Sequence, residues 1–282
     1  MSTCRAQLPV AVDRRDRPSV SRGYAPCRFG QLHFRVSPAT AAGRPPLFCL
    51  HHVPNSGQIF EPVMPLLAVD RDVYALDLPG FGMSDPAPDP QNIEHYALAI
   101  IDAITALGYG KVGIDVLGYH TGAAVATQLA LDSSLQIRRV ILAAVPVFSA
   151  DERASFGAQT PIPFDEHGDW AREEWRRSWH WRGPTQSRDS VLRTYAEKMR
   201  PGARERGARA IVNYEMTAAL SQIKQPLMIM RPKDDLWEAT GRAIALRQDA
   251  RTIELAELAH GMWEAAPERL ASLIEEFLGA EP

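Results

Sequence analysis

Leu117-Gly118-Tyr119-His120-Thr121-Gly122-Ala123-Ala124 is the stretch from which the rest of the chain can be read. An apolar run over residues 112–117 leads into it, with the length and continuity of a buried strand. Small and apolar residues from 123 to 131 follow, with the make-up of a buried helix. A strand that passes into a helix through so short a turn forces the central residue into strained backbone. A Cβ at either flanking glycine would run into the neighbouring strand and helix. The turn is built to present one side chain, and here that side chain is the imidazole of His120.

At 282 residues and 45% hydrophobic content the chain can close a full core, as one large α/β domain with an insertion or as two small domains. A net charge of -3 gives no electrostatic reason to expect nucleic acid or an anionic membrane as a partner. No apolar stretch approaches a membrane-spanning length. The three cysteines (Cys4, Cys27 and Cys49) share no metal-ligand spacing. Cys49 lies in an apolar run that reads as buried, and a reducing, cytoplasmic compartment is the plain expectation. Residues 1–22 mix arginine and aspartate without an apolar core, and are expected to be a flexible extension. Oligomeric state has no signature in the sequence.

Downstream of the extension, residues 24–29 and 32–36 read as two strands joined by a tight turn at Gly30-Gln31. Residues 47–51 and 73–76 are short apolar runs expected to be central strands, with broken helical pieces over 58–67 between them. Asn92 caps a helix over 93–107, ended by Gly108. After the strand and turn already described, a strand is expected over 139–144. The alternation then stops. Residues 146–221 carry helical patterns only, including Trp170, Trp175, Trp179 and Trp181 in one arginine-rich stretch. A strand (226–230), a helix (238–247), a strand (252–255) and a closing helix (267–278) resume the alternation. This order predicts a mostly parallel sheet covered by helices on both faces, formed by 23–145 and 222–282, with 146–221 inserted as a helical cap. Sites in such sheets lie at the carboxyl ends of the strands.

Four motifs sit at such ends. His51-His52-Val53-Pro54 is a histidine-rich loop, and Asp77-Leu78-Pro79-Gly80-Phe81-Gly82-Met83-Ser84 is a glycine-punctuated one. Gly118-Tyr119-His120-Thr121-Gly122 is the turn, and Asp235 followed by His260 in Ala259-His260-Gly261 completes the set. In this order they resemble the α/β-hydrolase superfamily, in its capped branch of esterases, lactonases, epoxide hydrolases, haloalkane dehalogenases and carbon–carbon bond hydrolases. The resemblance runs over about residues 24–278. It implies an α/β-hydrolase fold, with His120 where the family's elbow carries serine. His52 stands where the family's oxyanion loop usually has glycine. By the same resemblance Asp235 holds the catalytic-acid position and His260 the catalytic-histidine position, while the backbone N–H groups of Val53 and Thr121 would form an oxyanion hole.

An imidazole at the elbow opens three routes. It can attack a carbonyl directly, activate water as a general base, or work as one half of an acid–base pair with His260. Two imidazoles close together resist double protonation, and Asp235 should hold the proton on His260. The expectation is a cofactor-independent enzyme hydrolysing an ester, lactone or related carbonyl bond of a small apolar molecule. The alternatives are a lyase or isomerase using His–His proton chemistry, or a ligand-binding pseudo-hydrolase. His52, Tyr119, Trp175 and Trp179 are the expected substrate contacts, with the tryptophans forming an apolar lid. His51, His52, His120 and His260 share one rim with Asp235 but offer no close ligand pair, so no metal site is expected. Thr121 is a poor substitute nucleophile, since its side chain belongs to the first helical turn. Asp77 is expected to fix its loop, Asp234 to be a solvated or loop-fixing carboxylate, and His33, His95, His167 and His180 to be surface or capping residues.

Overall fold

The computed structural model describes residues 19–41, 43–157, 165–183, 186–200 and 202–280. Most of the expected N-terminal extension lies outside them. The strands are Ser21–Cys27 (β1), Gly30–Ser37 (β2), Leu47–Leu50 (β3), Val73–Leu76 (β4), Gly113–Tyr119 (β5), Gln136–Ala143 (β6), Leu227–Pro232 (β7) and Arg251–Leu255 (β8). They form one sheet in the order β1-β2-β4-β3-β5-β6-β7-β8. The β1–β2 and β2–β4 pairs are antiparallel; every later pair is parallel. The fold is the α/β-hydrolase architecture that the motif order implied.

Strand period explains how the sheet is covered. In β3 and β4 every residue is buried, as a central strand with helices on both sides requires. Phe48, Leu50, Tyr74 and Leu76 face one apolar cluster, together with the helices Ile93–Ala106 (α2) and Thr121–Leu131 (α3). Their alternates Leu47, Cys49, Val73 and Ala75 face the other cluster, with the helices Met64–Leu67 (α1) and Pro267–Gly279 (α11). Cys49 is fully buried, and burial pushes its thiol far up.

Between β6 and β7 the described chain contains only helices: Ala150–Gly157 (α4), Asp169–His180 (α5), Arg188–Lys198 (α6), Ala203–Val212 (α7) and Met216–Leu220 (α8). Trp237–Leu246 (α9) and Met262–Ala265 (α10) follow within the resumed alternation. Several boundaries differ from the sequence reading, among them the start of β1 at Ser21, inside the expected 1–22 extension. The β1–β2 turn lies at Arg28-Phe29, because Cys27 pairs with Gly30. The helix expected over 203–219 breaks into α7 and α8, and β6 starts at Gln136, ahead of its apolar run. The short helices α4 and α10 had no clear pattern. None of the described helices is long and apolar enough to cross a membrane.

Candidate active site

The turn after β5 is strained as its glycines imply. His120 has φ 57° and ψ −114°, a region costing a non-glycine residue on the order of 1–3 kcal/mol. It is held there by its N–H donating to the Ala143 carbonyl at 2.8 Å and its own carbonyl accepting from Ala123 N at 2.9 Å. A Cβ on Gly118 would lie 2.2 Å from the Gly122 carbonyl oxygen, and one on Gly122 would lie 2.0 Å from the Leu50 carbonyl oxygen. Strands β3 and β5 and helix α3 meet too closely for anything but glycine.

His120, Asp235 and His260 come together at the carboxyl ends of β5, β7 and β8. Asp235 Oδ1 lies 2.8 Å from His260 Nε2 and 3.6 Å from His120 Nε2. One carboxylate oxygen thus faces two imidazoles. Burial pushes the Asp235 carboxyl up, but the neighbouring His120 and His260 outweigh it and hold the group far below the usual carboxylate range. Burial lowers the His260 pKa, and the hydrogen bond and charge of Asp235 overcome that and raise it. On its other side His260 Nδ1 lies 3.1 Å from the Tyr119 hydroxyl, which donates to Asp234 Oδ2 at 3.3 Å. Both nitrogens of His260 are therefore committed. His120 is not: its Nδ1 has no hydrogen-bond partner, and its Nε2 stands just beyond hydrogen-bond reach of Asp235.

His52 packs beside this pair, its ring centroid 5.7 Å from that of His260 and 6.0 Å from that of His120. Its Nε2 meets the Asn55 amide. Burial, then the neighbouring histidines, push its pKa far down. Asp234, Asp235 and His260 each bring one potential ligand atom within 4.8 Å of the others. Those atoms are already engaged with one another, with Tyr119 and with the Leu236 N–H.

The site opens into a cavity of about 1230 Å³, lined by His52, Val53, Tyr119, His120, Thr121, Asp235 and His260 from the sheet side. Thr121 begins α3, so its N–H has no intrahelical partner. The inserted helices supply the opposite wall. A Cβ on Gly207 of α7 would lie 2.2 Å from Val53 Cγ2, and Gly183 N donates to the His260 carbonyl at 2.9 Å, so the insertion rests on both the loop after β3 and the His260 loop. Trp175 and Trp179 are not cavity residues. They stack on each other at 5.7 Å on a different face of α5, where Arg182 covers Trp179. The face of α5 that lines the cavity carries Trp170, Glu174, Arg177 and Ser178 at helical spacing, with Trp181 just beyond. That wall is charged as well as aromatic.

A model of the alpha/beta hydrolase family matches residues 47–273. The chain belongs to that family. The alpha/beta hydrolase is 33% identical over 109 residues to a soluble epoxide hydrolase of Corynebacterium sp. strain C12, an alignment covering 39% of this chain and 37% of the relative. The chain thus spans little more than a third of that relative's length. Among solved structures it resembles a hydrolase from Pseudomonas aeruginosa (TM-score 0.75, 20% identity, covering 92% of this chain and 98% of the other). It also resembles the enol-lactonase of Burkholderia xenovorans LB400 (TM-score 0.75, 16% identity, 92% and 100% covered).

One supporting residue of this alpha/beta hydrolase corrected the sequence reading, and another decided between two expected roles. His33 is not a surface residue: it is buried with its Nδ1 2.8 Å from Asp77 Oδ2. Asp234 takes the loop-fixing one of its two expected roles, buried and accepting from Leu236 N at 3.0 Å. Asp77 fixes its loop as expected, accepting from the N–H groups of Gly57 and Met83. The sequence carried no signal for Tyr119 as a partner of His260, because an alternating strand residue gives no hint of its hydroxyl's target.

His51 ties the two motif loops together. Its Nδ1 donates to the His52 carbonyl and its Nε2 accepts from Leu78 N, both at 2.8 Å, a pattern that only the neutral ring can make. Burial pushes its pKa down to about 4. Neutral His51 is favoured on folding, so its contribution is complete above pH ~6.5, the unfolded value, and is lost as pH falls from there through about 4. The wild type should lose about 2–3 kcal/mol more than His51→Asn between pH 7.5 and 4.5. Urea melts of both proteins at the two pH values measure this, and parallel losses would show that His51 does not carry the effect.

Proposed function

We propose that this chain is a cofactor-independent cytoplasmic hydrolase that cleaves an ester, lactone or related carbonyl bond of a small molecule, with His120 acting on the substrate as nucleophile or general base. The observation that carries this is the contrast between the two histidines. His260 has both nitrogens engaged, whereas His120 lines the cavity at the tip of a strained turn with its hydrogen-bonding capacity unspent. Strain and an unsatisfied buried nitrogen are both retained at a cost in stability, which is expected where a side chain serves chemistry. In this reading Asp235 orients both imidazoles and His260 is the proton-bearing partner. The N–H groups of Val53 and Thr121 receive the developing oxyanion, and residues 146–221 serve as the cap. His52 and Tyr119 contact the substrate. The names of the epoxide hydrolase and enol-lactonase relatives fit a ring-opening or acyl-cleaving substrate.

The run Asp235–His260–Tyr119–Asp234 supports a second reading. A protonated His260 can donate at Nε2 to Asp235 and at Nδ1 to Tyr119, which passes its own proton towards Asp234. Such a relay suits elimination or isomerisation as well as hydrolysis.

Hydrolysis of a panel of 4-nitrophenyl esters and aryl lactones tests the first reading. Turnover is expected to survive dialysis against a chelator and to fall roughly 10²- to 10⁴-fold in Asp235→Asn, which removes the charge that orients the rings. Absence of turnover across the panel, or recovery only with added zinc, overturns it.

A further inference from the structure

We infer that the cavity takes a substrate carrying a carboxylate group, seated on the ammonium of Lys198. Lys198 ends α6 and lines the cavity that holds His120 and His260. Its Nζ donates to the Ser178 hydroxyl at 3.0 Å and stands 3.9 Å from Glu174 Oε1.

That carboxylate is already taken. Glu174 is gripped by the Arg204 guanidinium through Nε, at 2.9 Å, and Nη2. The other carboxylates nearby have partners of their own. Asp235 is paired with His260. Glu197 accepts a hydrogen bond from the Ser56 hydroxyl, and burial raises its pKa. Lys198 is thus left as a mostly buried cation whose nearest carboxylate belongs to another. Burial lowers its pKa, with Glu174 and Asp235 among the charges that resist the fall. A buried ammonium without its own counter-ion is costly unless something in the working protein supplies the negative charge.

The mouth has the same bias. Arg193, Arg200 and Arg209 line the cavity, lie exposed, and pair with no carboxylate among the described residues. Against them stand Glu205 and Glu264, the latter accepting from Ser187. Cations at a cavity mouth raise the local concentration of an anion and speed its entry. The lining is also aromatic, with Trp170, Trp181 and Trp263. The whole describes a molecule with a flat apolar body and an acidic end, where the sequence reading expected a small apolar one.

This inference rests on the cavity being the substrate site proposed above, but it can be read without turnover. Binding of 3-phenylpropionate and of its neutral amide, 3-phenylpropionamide, is measured by calorimetry. The wild type is expected to bind the acid at least about tenfold more tightly. Lys198→Met is expected to erase that difference by weakening the acid alone, while Lys198→Arg keeps most of it. Equal affinity of the wild type for acid and amide overturns the proposal whether or not any variant folds. A preference that survives Lys198→Met overturns the assignment to this residue, placing it at the mouth arginines instead. If the acid is preferred but no ester is hydrolysed, the carboxylate site stands and the hydrolytic reading falls.

Discussion

His120→Ala should lower turnover of the best ester in the panel by roughly 10²- to 10⁴-fold if His120 is a base, and by up to about 10⁶-fold if it is the covalent nucleophile. KM is expected to change little, because the cavity wall and the N–H groups of Val53 and Thr121 are left in place. The same position gives a second, opposite reading in stability. At φ 57° the backbone disfavours any side chain, so His120→Gly should be inactive yet more stable than the wild type by about 1 kcal/mol or more. An active site that is stabilised by deletion of its central residue is one where strain serves function. His120→Ser is informative in a different way. It restores the family's usual residue, but His260 directs Nε2 to Asp235 and Nδ1 to Tyr119, so neither nitrogen is free to take the serine proton. No burst of product is expected from that variant. A burst would mean that the His260 ring turns, and full activity in His120→Ala would remove the role assigned to this residue.

Gly122→Ala is expected to be the most damaging small substitution in the fold. Within a helix the change ordinarily stabilises by about 1 kcal/mol, since alanine has the better propensity. Here the added methyl would sit 2.0 Å from the Leu50 carbonyl oxygen and 2.9 Å from that of His51. Both are backbone atoms at the end of β3 and cannot rotate aside. Relief requires α3 to move off the sheet, away from the apolar cluster it shares with α2. A net loss of roughly 3–5 kcal/mol follows, or a fall in Tm on the order of 10 °C. An unchanged Tm would show that α3 is held far less tightly than its packing indicates. The loss should also carry into activity, because Val53 follows β3 and Thr121 begins α3, and both line the same cavity.

Much of the fold was legible before any coordinates. The central strands β3, β4, β5 and β7 fall on apolar runs, and buried parallel strands have to look like that. The strained turn was legible because glycine is the only residue that can flank it, and a constraint on one position leaves a visible mark. The convergence of His120, Asp235 and His260 followed from their places at strand ends, since a parallel sheet brings those ends to one edge. Boundaries set by register were less visible. Cys27 pairs with Gly30 because the hairpin register demands it, and no local preference of Arg28 or Phe29 announces the turn.

What the sequence by itself determined is therefore the sheet, the order of its strands' chemistry and the identity of the three central side chains, because each is set by local pattern or by chain order. The tertiary structure alone decided which atoms of those side chains face one another. Asp235 splits one oxygen between two imidazoles, Tyr119 takes the far nitrogen of His260, and Trp175 and Trp179 turn away while Glu174 and Ser178 turn in. A residue on a helix meets the cavity or misses it by about 100° of rotation, and that angle is fixed by how α5 packs against its neighbours. The pairing of Glu174 with Arg204, which leaves Lys198 its charge, joins helices distant in sequence. Charge balance inside a cavity is a property of that packing, and no reading of one segment at a time contains it.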